Sequence, residues 1–498
     1  MQLTDNSKVY VLILLGCAIF SLLSVTFGFF PYLGFSVSFI LFLLLAFYIK
    51  NDKTSLTKVF FTIALILSIF LSIRSEPFIT LLNILAIFYF SCLFVLTKKD
   101  DPDSIFSIIL APLMLFLQSA FIKNNYRLEF EGSVASQKKR GSALNMIAVL
   151  LVTLTILAII LPLLASANPL FERLLLSAAD LIGLRGLKID EAVLRWVVRL
   201  IIFTGLAYLI PRIATFVNKK EGFKITSRLA LNLLIPKTAV AVVLAVFFIA
   251  QFQLYFSSKE TLAALGYTYS NYANEVFAQL SIVAVIIMGL VYADTEKKKV
   301  NEKLALILII EGIFLTFMAY KSVYEYSNAW GFTYKRLYGF AVATWILGIF
   351  SIYLYTFIKN VEKNVFLAKS AVYTGIILIL INLANFDYLI YNFRRATTGA
   401  GVDYNYLSRL SSDSLSYGAQ LNLLLKDFSD PATDLEKSQA ESQGFRVLLH
   451  KIDFLQEKYK DFDIREYNLL EYLQYREVKN VDTKFIRDKY TLTNPADR

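Results

Sequence analysis

For its first 385 residues the chain alternates long apolar runs with short charged segments, and after that it changes character. The runs fall at about 9–28, 31–49, 59–73, 78–96, 105–122, 144–166, 196–214, 237–256, 275–292, 304–320, 337–358 and 367–385. Their lengths suit helices crossing a hydrocarbon core about 30 Å thick. In lipid each backbone N–H and C=O must be satisfied within its own segment, and no run alternates with the period of a barrel strand. The pattern therefore predicts an all-α fold: a polytopic helical membrane bundle of eleven or twelve transmembrane helices with a C-terminal soluble helical domain. Pro112 interrupts 105–122, which reads as re-entrant or interfacial, or else the short run 59–73 does not cross fully.

Three regions follow. Residues 1–143 hold N-terminal transmembrane helices, 144–385 a transmembrane core, and 386–498 a tail domain. Within the core, Asn168 to Asp190 is apolar but broken by charges at helical spacing, as in an amphipathic helix lying on the outer face. In the tail Leu421, Leu424, Leu425 and Phe428 recur at helix spacing, and Asp413 after Ser411 and Ser412 reads as a helix start. The stretch 434–460 reads as a second helix and "DIREYNLLEYLQYRE", 463–477, as a third.

Composition agrees with a membrane protein. Hydrophobic residues make up 57% and charged residues 18%, with mean hydropathy +0.57, far from globular averages. The net charge of +11 does not point to nucleic acid, because residues 386–498 carry 16 Lys and Arg against 18 Asp and Glu. The surplus lies in membrane loops, where it sets topology and attracts lipid head groups. Loops 123–143, 212–237, 293–303 and 359–369 hold 18 basic residues and the intervening loops eight, so the tail is expected outside the cytoplasm. Cys17 and Cys92, in apolar runs, offer no disulfide framework, and the single His450 removes most zinc and acid–base chemistry. "LLGC", Leu14 to Cys17, has bulky Leu15 where a lipoprotein cleavage site has a small residue, so an uncleaved first span is expected.

The candidate functional residues are few. Glu311 sits in "LIIEGIFL", far from Lys303 and Lys321; it is expected to face the bundle interior, protonated or paired with a cation such as Arg199. Glu275, with Tyr269, Tyr272 and Asn274, forms a polar aromatic cluster that either binds a solute or headgroup or is an interfacial belt. Arg336 with Tyr338 at the outer end of its span either grips an anion or anchors the helix. Asp387 and Arg394, an (i, i+7) pair after the last span, are expected to dock the tail. "DPD" at 101–103 and "DFD" at 461–463 match a metal-binding spacing only weakly. Phosphate-binding glycine loops, Gly-x-Ser-x-Gly, His-Glu-x-x-His and Cys pairs do not occur, and no cofactor or metal is expected.

Three stretches carry a resemblance: Gln251–Leu280, with its Tyr-x-x-Tyr-Ala-x-x-x-Phe pattern; Ala319–Phe340, with a Tyr, then Gly-Phe-Thr, then Arg; and Asn385–Leu415, with Asp-x-x-Tyr-Leu and Leu-Ser-x-Asp. Together they resemble, over about residues 160–475, a family of bacterial multi-pass membrane proteins catalogued as a domain of unknown function, the 4153/4173 group. The resemblance implies a bacterial cytoplasmic membrane and brings no activity. The first functional expectation is a non-enzymatic, membrane-anchored interaction or sensing protein, with membrane lipids and a protein partner of the tail as its contacts. The alternatives are a solute or ion-coupled transporter, resting on Glu311, Gln279, Asn382 and Gln251, and a lipid-linked transferase at the outer face.

Overall fold

The computed structural model describes residues 5–26, 29–51, 53–97, 112, 115, 191–217, 234–255, 283–291, 299–359, 363–398, 401–427 and 435–489. They form an all-α polytopic bundle joined to a helical tail. In the bundle, α1 is Asp5–Leu23, α2 Tyr32–Ile49, α3 Ser55–Phe70, α4 Pro77–Leu96, α5 Glu191–Val217, α6 Leu234–Tyr255, α7 Lys299–Trp330, α8 Tyr334–Ile358 and α9 Lys363–Ala384. Seven of the described helices, α1, α2, α4, α5, α7, α8 and α9, are long and apolar enough to cross a membrane. The segment 144–166, most of 105–122, half of 275–292, and the amphipathic stretch 168–190 lie outside the described residues.

Polar side chains end these helices where the sequence breaks its apolar runs. Thr54 caps α3 by accepting from Thr57 N at 3.2 Å. Glu76 caps α4, whose first residue is Pro77, a position where the missing N–H costs nothing. At the other end of α4 the buried Lys50 ammonium donates to the carbonyls of Phe94, Val95 and Thr97, at 2.5, 3.0 and 2.7 Å. A cation there satisfies orphan carbonyls and meets the negative end of the helix dipole. Since Lys50 follows α2, the α2–α3 loop lies beside the C-terminus of α4, and α3, at 16 residues shorter than the seven long apolar helices, runs antiparallel along α4.

Two apolar cores hold the bundle. One joins α2, α3, α4 and α9 around Phe60, Leu67, Phe90 and Ala371. The other joins α6, the helical stretch 283–291, α7 and α8 around Leu308, Ile309, Ile346 and Phe350. Between α4 and α9 the buried amides of Asn83 and Asn382 donate to each other at 2.8 Å in both directions. Asn382 is thereby a satisfied helix–helix clamp. Close approach of α7 and α8 requires Gly312, where a Cβ would overlap the Phe350 ring.

Helix α7 is longer than its apolar run. It continues for 32 residues, about 48 Å, because Lys321 and Glu325 pair across one turn at 3.4 Å and carry the helix beyond the hydrocarbon thickness.

The tail comprises α10 (Phe386–Asn392), a two-stranded antiparallel ribbon of β1 (Thr397–Thr398) and β2 (Gly401–Val402), α11 (Tyr404–Leu407), a 3₁₀ turn at Ser412–Ser414, α12 (Tyr417–Asp427), α13 (Leu435–Lys458), a 3₁₀ turn at Ile464–Glu466, α14 (Leu469–Val478) and α15 (Thr483–Lys489). Its core is Tyr417, Leu424, Phe445, Leu448, Ile452 and Leu455. The expected third helix is divided: Asp463 caps the 3₁₀ turn, and Asn468 starts α14 by accepting from Leu470 N and Glu471 N. Asp413 lies in the 3₁₀ turn, capped by Ser411, and does not itself open α12.

Among the described residues the tail meets one end of the bundle. It touches the α1–α2 connection, where Phe29 N donates to Glu466 Oε1 at 3.0 Å, and the α3–α4 loop, where Leu469 N donates to Ser72 O at 2.8 Å. It also meets the α7–α8 turn, where Phe332 N donates to Arg394 O at 2.9 Å. The N-terminus of α1 and the α2–α3 loop, with Lys50, Lys53 and Lys58, therefore lie at the opposite end.

Candidate functional site

The polar residues of the described chain converge where the tail enters the bundle. Loop 71–76 supplies Arg74, Ser75 and Glu76; α8 supplies Tyr334 and Tyr338; α10 supplies Asp387; and the turn after α11 supplies Ser411 and Asp413. Arg74 and Asp413 are 2% and 0% exposed and form an ion pair, Nε to Oδ2, at 2.9 Å. Asp413 Oδ1 also accepts from Ser75 N at 2.7 Å and Ser75 Oγ at 2.6 Å. A buried charge is tolerated only when paired and hydrogen-bonded, and Asp413 has both. Burial pushes its carboxyl up to about 6, and Asp387 adds to the rise, while Arg74 and Ser75 pull the other way.

Asp387, also fully buried, is the second fastening. Its Oδ1 accepts from the Tyr334 hydroxyl and from Ser411 N, the latter at 2.7 Å. Asn385 places it there. That residue takes the left-handed conformation, φ 44°, turns the chain from α9 into α10, and donates from Nδ2 to Asp413 O at 2.8 Å. Glu76, whose Oε2 accepts from Ile79 N at 2.5 Å, is raised by burial. On the tail side Lys451 donates to Leu410 O at 2.7 Å, and burial lowers its ammonium to about 8. Four buried polar atoms of this cluster have no hydrogen-bond partner: Arg74 Nε, which only pairs in charge with Asp413, Arg74 Nη2, Tyr338 OH and Asp387 Oδ2. Such atoms are normally met by ordered water. The arrangement is a charged lock, and among the described residues no group of His, Cys, Asp and Glu is placed to hold a metal ion.

The residues singled out in the sequence distribute differently from expectation. Asp387 and Arg394 both contact the bundle, on separate partners: Asp387 within the lock, and Arg394 at the Asn328 side chain and carbonyl near the end of α7. Arg336 donates from Nη1 to Trp330 O and Gly331 O, at 2.8 and 2.6 Å, and lies over the Tyr326 ring at 4.1 Å. It caps α7, which favours the anchoring reading of the two. Tyr338 packs edge-on between Phe78 and Phe386, joining α4, α8 and α10. Glu311 is half-buried, and its Oε2 has no partner. Arg199 does not reach it, since that guanidinium donates to Val25 O at 3.1 Å at the tail end of α1. Tyr269, Tyr272, Glu275, Gln279 and the side chain of Gln251 lie outside the described residues, as do Asp101 and Asp103. Asp463 is taken by Arg465, which holds both its oxygens, and the neighbouring Phe462 is 37% exposed.

Arg74, Ser75 and Glu76 were not foreseen. The only local signal is a short loop, "RSEP", that carries two charges between two apolar runs.

Neither a curated protein nor a solved structure matches the chain. Residues 59–421 match a family, a span that begins earlier and ends earlier than the resemblance of the three motifs and that includes both Arg74 and Asp413. The match covers well over half of the sequence, and with it the lock but not the tail beyond residue 421; the chain belongs to the family described as Domain of unknown function (DUF4153).

Proposed function

We propose that the chain is a non-enzymatic interaction or sensing protein of a bacterial cytoplasmic membrane, in which the bundle holds the tail as a rigid platform outside the cytoplasm. The observation that carries this reading is the buried lock. A tail that merely hung from the last span would not place Asp413 and Asp387 among loops of α3–α4 and α7–α8. A ligand that shifts the tail must move helix ends, which is what a sensing device requires. The basic α2–α3 loop at the opposite end supports an N-terminus in the cytoplasm and the tail outside it.

The test uses Phe485, which is 62% exposed on α15. The native thiols Cys17 and Cys92 are buried, so Phe485→Cys provides one accessible thiol. A membrane-impermeant, photoreactive maleimide added to spheroplasts is expected to label it without permeabilisation and, on illumination, to give a discrete heavier adduct. Labelling only after permeabilisation would overturn the orientation. Labelling without any adduct would overturn the platform reading.

The unpartnered Glu311 carboxylate supports a second reading, transport coupled to protons or cations. Gln at 311 keeps the shape and removes the charge. Uptake into vesicles that depends on the protein and is lost in Glu311→Gln would favour transport, and an absence of protein-dependent uptake would remove it.

A further inference from the structure

We infer that Arg195, Arg199 and Arg465 form a binding site for a phosphate group, of the kind carried by an anionic phospholipid headgroup, on the tail side of the bundle. The three guanidiniums come from two parts of the fold that are distant in sequence, α5 and the tail, and two of them, Arg199 and Arg465, meet at the end of α1. Arg465 Nη1 donates to Leu22 O at 2.9 Å and Val25 O at 3.4 Å, and Arg199 Nη2 donates to the same Val25 O at 3.1 Å. Sharing one carbonyl brings two like charges side by side. Arg195, one turn before Arg199 on α5, lies close enough to repel it as well.

The opposing charge is small. Among the described residues Asp463 and Glu466 are the carboxylates that act on this group; Arg465 already holds both oxygens of Asp463, and Glu466 accepts from Phe29 N. Capping the last carbonyls of α1 accounts for Arg465 Nη1 and Arg199 Nη2. It does not account for Arg195, nor for Arg199 Nε, which is buried without a hydrogen-bond partner. Planar guanidinium donors left over at a cluster of like charge fit a phosphate, whose oxygens accept several N–H groups at once.

The position indicates where that phosphate comes from. Helix α5 has 27 residues, about 40 Å, longer than the hydrocarbon core, so its first turns reach the headgroup layer. Trp196, 60% exposed beside the Arg199 guanidinium at 5.1 Å, is the residue type that marks that layer. A bound headgroup would tie α5 to the tail and to the α1–α2 connection. The inference requires the bundle to lie in a membrane, and it is independent of whether the tail recruits a protein.

The test uses full-length protein in nanodiscs of phosphatidylcholine with increasing phosphatidylglycerol, with bound lipid counted by native mass spectrometry and inorganic phosphate as a separate probe. Arg195→Gln is the main variant, because no contact of Arg195 holds the fold, and Arg199→Gln is the second. Phosphatidylglycerol is expected to be retained over phosphatidylcholine, with affinity about fivefold weaker for each arginine removed. Retention that excess inorganic phosphate does not displace assigns the site to a lipid headgroup. Binding of inorganic phosphate in pure phosphatidylcholine, weakened by Arg195→Gln, assigns it to the free anion. Equal phosphatidylglycerol retention by the unaltered protein and both variants, with no phosphate binding, overturns the proposal.

Discussion

Replacing Asp413 with alanine is expected to destabilise the protein by about 3–5 kcal/mol, the cost of stranding a buried charge. Arg74 is 2% exposed and cannot turn to water, and the Ser75 N–H and hydroxyl lose their acceptor in the same step. Thermal unfolding in detergent, with protease sensitivity of the tail as a second reading, measures the loss. The pair itself need not stabilise relative to apolar residues, since burying two charges is costly. Arg74→Met combined with Asp413→Leu is therefore expected to recover much of what Asp413→Ala loses. A single variant within about 1 kcal/mol of the unaltered protein would place the pair in water, contrary to the structure.

Gly331→Ala is the second large effect. Gly331 ends α7 with φ +74°, and a Cβ there would overlap the carbonyl of Arg395. The left-handed conformation alone costs a residue with a Cβ about 1–2 kcal/mol, and the overlap is with backbone, which has no rotamer to change. A loss of more than about 2 kcal/mol is expected, together with release of the Phe332 N to Arg394 O hydrogen bond. Gly205, on α5, is the control: a Cβ there meets nothing within 4 Å. Alanine at 205 is expected to be neutral or to stabilise by up to about 1 kcal/mol through helix propensity. Equal thermal stability of the two variants would contradict the close packing of the α7–α8 turn on the tail.

Much of the bundle was legible in the sequence because spans announce themselves by length and hydropathy. The runs at 31–49, 78–96, 337–358 and 367–385 lie within a few residues of α2, α4, α8 and α9. Helix α7 was underestimated because Lys321 looks like a terminus when hydropathy is the only signal, whereas Glu325 one turn on lets the helix continue. The lock was not legible. Ser75 and Asp413 are 338 residues apart, and nothing in "RSEP" says which distant carboxylate it meets. Asp387 and Arg394 lie where the tail meets the bundle, but their separate partners were not legible, because an (i, i+7) rule sees only its own helix, and Tyr334 lies 53 residues before Asp387. The Gly-Phe-Thr turn and Leu-Ser-x-Asp elements proved informative for a physical reason. Gly331 supplies the left-handed turn, and Ser411 and Asp413 supply the tail's half of the lock.

The most direct test of a tail built into the bundle is a cross-link between Ser72, in the α3–α4 loop, and Leu469, at the start of α14. Their backbones are joined by a hydrogen bond of 2.8 Å from Leu469 N to Ser72 O, so cysteines at both positions lie within bridging distance. In membranes carrying Ser72→Cys with Leu469→Cys, mild oxidation is predicted to protect both thiols from maleimide until reductant is added, while each single variant stays reactive. Two thiols that remain reactive in the double variant, under conditions where a bridge within the tail forms, would show that the tail does not rest on this end of the bundle.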